Sequence, residues 1–164
     1  MARLSLCDRR IRRMKAVAIV DTSIFCNVLN IPHMNTERPQ VMQKLKELIE
    51  GDTNLLLPMA AIYETGNHIA QLSDGGNRRR FAEAFIGQVK KAIEGGPPWQ
   101  AMQLPDMEEV GEWLSNFPDS AMRGAGMADL SIIKEWEKTI RITPNRRIFI
   151  WSLDSDLQGY DHIP

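Results

Sequence analysis

Cysteine is scarce in this 164-residue chain: Cys7 and Cys26 are the only two. They offer neither paired metal-ligand spacing nor a disulfide framework, which points to a reducing compartment, the cytoplasm. No apolar run approaches the roughly 18 residues of a membrane helix, and residues 16–20 are too few for a signal-peptide core. No membrane partner is expected. A GxxxxGK[ST] loop to cradle phosphates is absent, and Gly124-Ala125-Gly126 continues to Asp129 where a dinucleotide fingerprint places its third glycine. Serine or cysteine nucleophile schemes lack a convincing base and elbow. Internal repeats and low-complexity segments are lacking too.

What is present is ordinary in amount and uneven in placement. Hydrophobic residues make up 43% and charged residues 25%, enough for one domain with a real core. The formal net charge of -1 conceals a basic start. Residues 1–15 hold Arg3, Arg9, Arg10, Arg12, Arg13 and Lys15 against Asp8, leaving 14 bases and 20 acids for the remainder. Residues 1–13 therefore read as a basic extension, either a solvated terminus or an arm for nucleic-acid phosphates, and 14–164 as the domain.

Residues 16–20 (AVAIV) form a short apolar run that stops at Asp21-Thr22-Ser23. This is the pattern of a buried parallel strand followed by a ligand-bearing turn. Helices are expected over 23–30, 39–50, 59–72, 78–93, 105–116 and 127–141, with further strands over 55–57, 99–104 and 147–151. Alternation of this kind predicts an α/β fold, a single three-layer α/β/α sandwich around a mostly parallel sheet of about five strands. Carboxyl ends of parallel strands share one edge, where ligands are held.

Three acids fall near that edge: Asp21 after the first strand, Asp154 after the last one, and Glu64 in the helix after 55–57. A fourth, Asp129, precedes Ile132, Ile133, Trp136 and Ile140 at helical spacing, so it heads an apolar face. A buried, unpaired carboxylate costs several kcal/mol, and no Lys or Arg shares that face within a turn. Hard cations that prefer oxygen donors, Mg2+ or Mn2+, are the natural partners of such a cluster. They would also relieve the mutual repulsion of four acids.

At these residues the chain resembles the PIN-domain nuclease family, which includes VapC-type toxins. The resemblance rests on VDTSIF with Asp21 and Ser23, IYETGNHI with Glu64, GMADLSII with Asp129, and IWSLDSDL with Asp154 and Asp156. It implies a PIN-like fold and a catalytic Mg2+ or Mn2+ site of Asp21, Glu64, Asp129 and Asp154. The implied activity is divalent-metal-dependent endoribonuclease action on single-stranded RNA, leaving 5'-phosphate and 3'-hydroxyl ends. It also implies, for many members, a cognate antitoxin in a type II toxin-antitoxin pair and a homodimer. Ser152 stands where the family commonly has threonine and Leu157 where it has phenylalanine; residues 95–124 are long for a short toxin, and the basic arm is extra.

Each residue has a plainer reading as well. Asp21 could simply cap a helix, and Ser23 could cap or could orient ligands from behind. Glu64 could be a surface acid, and Asp156 a turn former or secondary ligand. His68, one turn from Glu64, and Arg78, Arg79 and Arg80 are candidates for substrate contact, against a solvated face. A phosphotransferase of the haloacid dehalogenase type would want Asp where Ser23 stands. The alternative to hydrolysis is an inert PIN-like module for RNA binding or protein interaction.

Overall fold

The computed structural model describes residues 15–164, so the basic extension of residues 1–13 and Cys7 lie outside the described residues. The elements run β1 (Val17–Val20), α1 (Thr22–Val28), α2 (Arg38–Glu50), β2 (Asn54–Leu57), α3 (Met59–Ala70), α4 (Gly75–Ile93), β3 (Trp99–Ala101), α5 (Met107–Met122), α6 (Met127–Ile142), β4 (Ile148–Trp151) and β5 (Asp161–His162). The sheet order is β3-β2-β1-β4-β5. Pairings are parallel except between β4 and β5, so the expected α/β sandwich with a mostly parallel sheet is what forms.

β1 is central, and all four of its residues are buried because helices cover both faces. On one face Ala18, Val20, Phe25, Leu45, Leu57, Phe81 and Trp99 form the larger cluster. On the other, Ile19 packs with Ile132, Ile150 and Leu157, with Trp136 and Tyr160 against them. Phe25 meets the Trp99 ring edge-on, with centroids 5.6 Å apart. Among the described residues no helix is long and apolar enough to cross a membrane.

Several elements depart from the expected boundaries: α1 spans Thr22–Val28 where 23–30 is expected, and β3 stops at Ala101 where 99–104 is expected. α4 starts at Gly75, not at Arg78, because the Asp74 side chain accepts from the Asn77 N–H at 2.7 Å and caps it. A Cβ on Gly76 would come within 3.2 Å of Asp74 Oδ1, so the glycine leaves the cap room. α5 begins at Met107 behind a reciprocal Asp106–Glu109 capping box and runs through Pro118 to Met122. Proline normally breaks a helix interior; here buried Trp113 and Ser120 on either side of Pro118 hold the last turns in place. β5 spans two residues, too few to leave a periodic trace in sequence.

Candidate active site

Local sequence delivers each acid to one edge of the sheet. β1 ends at Val20, so Asp21 is the first residue beyond the strand, and its backbone N–H donates to Trp151 O at 3.0 Å. The next strand over, β4, ends at Trp151 and releases the chain into the loop that carries Ser152 and Asp154. α6 precedes β4 and must run back along the sheet, so its first turn, with Asp129, starts at this same edge. Glu64 sits midway along α3, which leaves the end of β2.

Asp21 is 5% exposed. Its Oδ2 accepts from Ser23 N at 3.2 Å, Ser23 Oγ at 2.7 Å and Ser152 Oγ at 2.8 Å. Capping and orientation are thus the same interaction: Asp21 caps α1 while three donors fix its plane. Ser23 Oγ also accepts from Leu153 N at 3.0 Å, and Ser152 Oγ accepts from Asp154 N at 2.9 Å. These two hydroxyls stitch the end of β1 to the loop after β4. Asp154 is exposed, and its Oδ1 accepts from Asp156 N at 2.9 Å. Asp156 is therefore the partner that shapes the Asp154 turn, and it borders a recess of about 510 Å³ lined by Arg123, Lys134 and Tyr160 together with Leu130 and Ile133.

Glu64 is half-buried, with Oε2 accepting from Thr22 Oγ1 at 2.8 Å. Asp129 is half-buried too. Burial raises its carboxyl above the ordinary range, and the charges of Asp154, Asp21 and Glu64 push it further up, against a backbone hydrogen bond from Gly126. Asp129 thus feels the charges of the other three acids through space. Among the described residues none of the four forms a salt bridge with Lys, Arg or His. Behind them, burial pushes the Cys26 thiol up to about 11, with Asp21 and Glu64 adding to the rise against a Thr65 hydrogen bond, which leaves it no nucleophile at neutral pH.

The apolar face of α6 is only partly as expected. Ile132 is fully buried, and Ile133 and Trp136 pack beside it, but the third buried position after Leu130 and Ile132 is Glu135. The basic candidates are engaged locally. Arg78 Nη1 donates to Leu72 O at 2.6 Å, Arg79 pairs with Glu83 at 3.0 Å, and Arg80 lies 4.7 Å from the Phe81 ring centroid. His68 lines a separate cavity with His33. Thr22 and Ser152 are the hydrogen-bond partners of candidate acids that sequence reasoning leaves unassigned. For Ser152 a signal exists, a hydroxyl at a position of the resembling motif; for Thr22 only the fold reveals its partner 42 residues away.

Among the described residues no group of three or more His, Cys, Asp or Glu side chains is placed to hold a metal ion. The donors nevertheless fit Mg2+ or Mn2+ in kind. They are carboxylate oxygens, buried at Asp21, half-buried at Glu64 and Asp129 and exposed at Asp154, and Mg2+ keeps several waters while taking one or two protein carboxylates. Comparison with protein-family models, with curated proteins and with solved structures found no match to this chain.

Proposed function

We propose that this chain is a divalent-metal-dependent endoribonuclease that hydrolyses RNA phosphodiester bonds at the Asp21 edge of the sheet. One observation carries the reading. Four carboxylates come from four separated stretches of chain, the charges of three of them add to the raised proton affinity of Asp129, and no described cation is paired with any of them. Such an arrangement is costly in an isolated protein and useful to a site that recruits positive charge.

The residues divide the work by their surroundings. Asp21 is held rigid by Ser23 and Ser152, Glu64 is aimed by Thr22, and Asp154 is presented on an exposed turn. Asp129, with its proton affinity raised, has the most to gain from a cation. These four would hold Mg2+ or Mn2+, which when bound supplies the positive charge that makes water acidic enough to attack phosphorus at neutral pH. The water oxygen bonds to phosphorus, the P–O3' bond breaks, and the 3' oxygen leaves as a hydroxyl, giving a 5'-phosphate on the other fragment. The resemblance extends the proposal to a toxin role, with a cognate antitoxin and a second copy of the chain as partners. Exposed Met107, Leu114 and Met122 on α5 suit contacts of that kind.

The test is cleavage of unstructured and duplex RNA by purified protein with Mg2+, with Mn2+ or with a chelator. Wild type should cut unstructured RNA only with metal, and Asp21→Asn should lose at least about 100-fold, a loss on the scale of removing charge stabilisation of a transition state. Equal rates for the two proteins would remove the enzyme reading. RNA retention that needs no metal and survives Asp129→Asn, without cleavage, would point to a binding module.

A further inference from the structure

We infer that the cavity of about 400 Å³ between the α1–α2 connection, the end of α3 and the start of α4 is a subsite for one base of a single-stranded RNA. The inference rests on the nuclease reading for its substrate and deepens it. The location comes first. Glu64 and His68 are four residues apart on α3, so His68 lies about 6 Å further along the same side of the helix. A strand lying with one phosphate at the acidic edge would bring a neighbouring nucleotide to His68.

The lining chemistry suits a base better than a phosphate. The apolar side is Ile31, Met34 and Leu72, and two imidazoles, His33 and His68, stand beside it. Planar imidazole and sulfur-containing surfaces offer stacking contacts that every base can use. Gln71 and Asn77 carry side-chain amides, which both donate and accept and can meet the hydrogen-bonding edge of a base. No Lys or Arg lines the cavity, as a phosphate would require. The one carboxylate in the wall, Asp74, is already turned to the Asn77 N–H at 2.7 Å.

The walls are also held in place before any ligand arrives. Asn35 Nδ2 donates to Asn30 Oδ1 at 2.8 Å across the α1–α2 connection, and Arg38 Nη1 donates to Asn27 O at 2.7 Å behind it. Arg78 Nη1 spans Leu72 O and Ser73 O, fixing the turn between α3 and α4. A preformed pocket of this size lies within the range of small-ligand sites and loses little ordering entropy on binding. His68 and Arg78 then act together without touching a phosphate: one lines the pocket and the other braces it.

The test uses 5'-labelled eight-nucleotide RNAs in EDTA, so that fluorescence anisotropy reads binding without cleavage. A single abasic nucleotide is stepped along the strand. In wild type one position should cost roughly tenfold in Kd when its base is removed, the scale of losing one stacked base. Gln71→Trp, which fills the cavity from an exposed position, and His68→Ala should each weaken the intact RNA by a similar factor. Both should erase the abasic penalty at that one position and leave the salt dependence unchanged, since neither variant alters how phosphates are neutralised. If His68→Ala does not fold, Gln71→Trp alone carries the result. Variants that reproduce the wild-type abasic series would overturn the subsite. Binding with a position-specific penalty but no metal-dependent cleavage would sink the nuclease reading and keep the subsite, while cleavage without that penalty would do the reverse. A wild type that binds no single-stranded RNA in EDTA would end the subsite, and one that also cuts none with Mg2+ or Mn2+ would end both.

Discussion

Ser152→Ala is the sharpest probe of how this edge is built. The hydroxyl donates to Asp21 Oδ2 at 2.8 Å and accepts from Asp154 N at 2.9 Å, so one oxygen joins the end of β1 to the loop after β4. A hydrogen bond to a charged acceptor contributes about 1.5–3 kcal/mol net. Asp21 is nearly inaccessible but keeps both Ser23 donors, which puts the loss toward the lower end. Asp154 N belongs to an exposed residue and can turn to water, adding only a few tenths of a kcal/mol. A destabilisation of about 2 kcal/mol is expected, and for a chain of this length each kcal/mol moves Tm by roughly 2–4 °C, so thermal denaturation should report a fall of about 4–8 °C. Ser152→Thr keeps the hydroxyl and should stay near wild type. Ser115→Ala is the control, since Ser115 Oγ bonds only Gly111 O on an exposed helix face. Metal-dependent cleavage by Ser152→Ala should drop about 10–100-fold as Asp21 loses its orientation. If Ser152→Ala melts with wild type, or Ser152→Thr melts with Ser152→Ala, the hydroxyl does not organise this edge.

Other perturbations probe separate parts of the molecule. Thr22→Val keeps the shape of a buried side chain but removes the donor to Glu64 Oε2, so Mn2+ affinity by calorimetry should fall about 10–100-fold with only about 1 kcal/mol of stability forfeited; unchanged affinity would remove Glu64 from the ligand set. Glu135 is 6% exposed, and burial raises its carboxyl above the ordinary 4.5, with Lys138 opposing and Glu109 adding to the rise. The folded state then holds this proton more tightly than the unfolded chain, so the contribution is complete below pH 4.5 and is lost as pH climbs through the folded value. Glu135→Gln should accordingly be more stable than wild type at pH 7, on the order of 1 kcal/mol, and the gain should vanish in acid; a gain that persists at about pH 3.5, below the ordinary carboxyl range, would refute it. Removing residues 1–13 takes away five arginines, and the slope of log affinity for single-stranded RNA against log salt should shrink by about 0.7 for each phosphate the arm had neutralised. An identical slope would show that the arm does not touch RNA.

The amino-acid order by itself determined the sandwich. Short apolar runs at 16–20, 55–57 and 147–151, separated by amphipathic stretches, leave few other ways to bury a parallel sheet. The strand-then-turn pattern also placed Asp21 and Asp154 at the carboxyl edge of the sheet, because Asp21 directly follows β1 and Asp154 lies three residues beyond β4. Cap chemistry is legible where it is local, yet the two glycines behind Asp74 read as a break and hide the helix that it caps. Only the tertiary structure decided which hydroxyl serves which acid. Thr22 with Glu64 and Ser152 with Asp21 are pairs 42 and 131 residues apart, and no periodicity encodes a contact at that separation. The same holds for Glu135, which spacing alone assigns no burial and which lies beside Pro58, Met102 and Trp113, and for the His33–His68 cavity, whose walls come from three parts of the chain. Periodicity reports which side of an element is apolar; what a polar atom meets on that side depends on where the other elements dock.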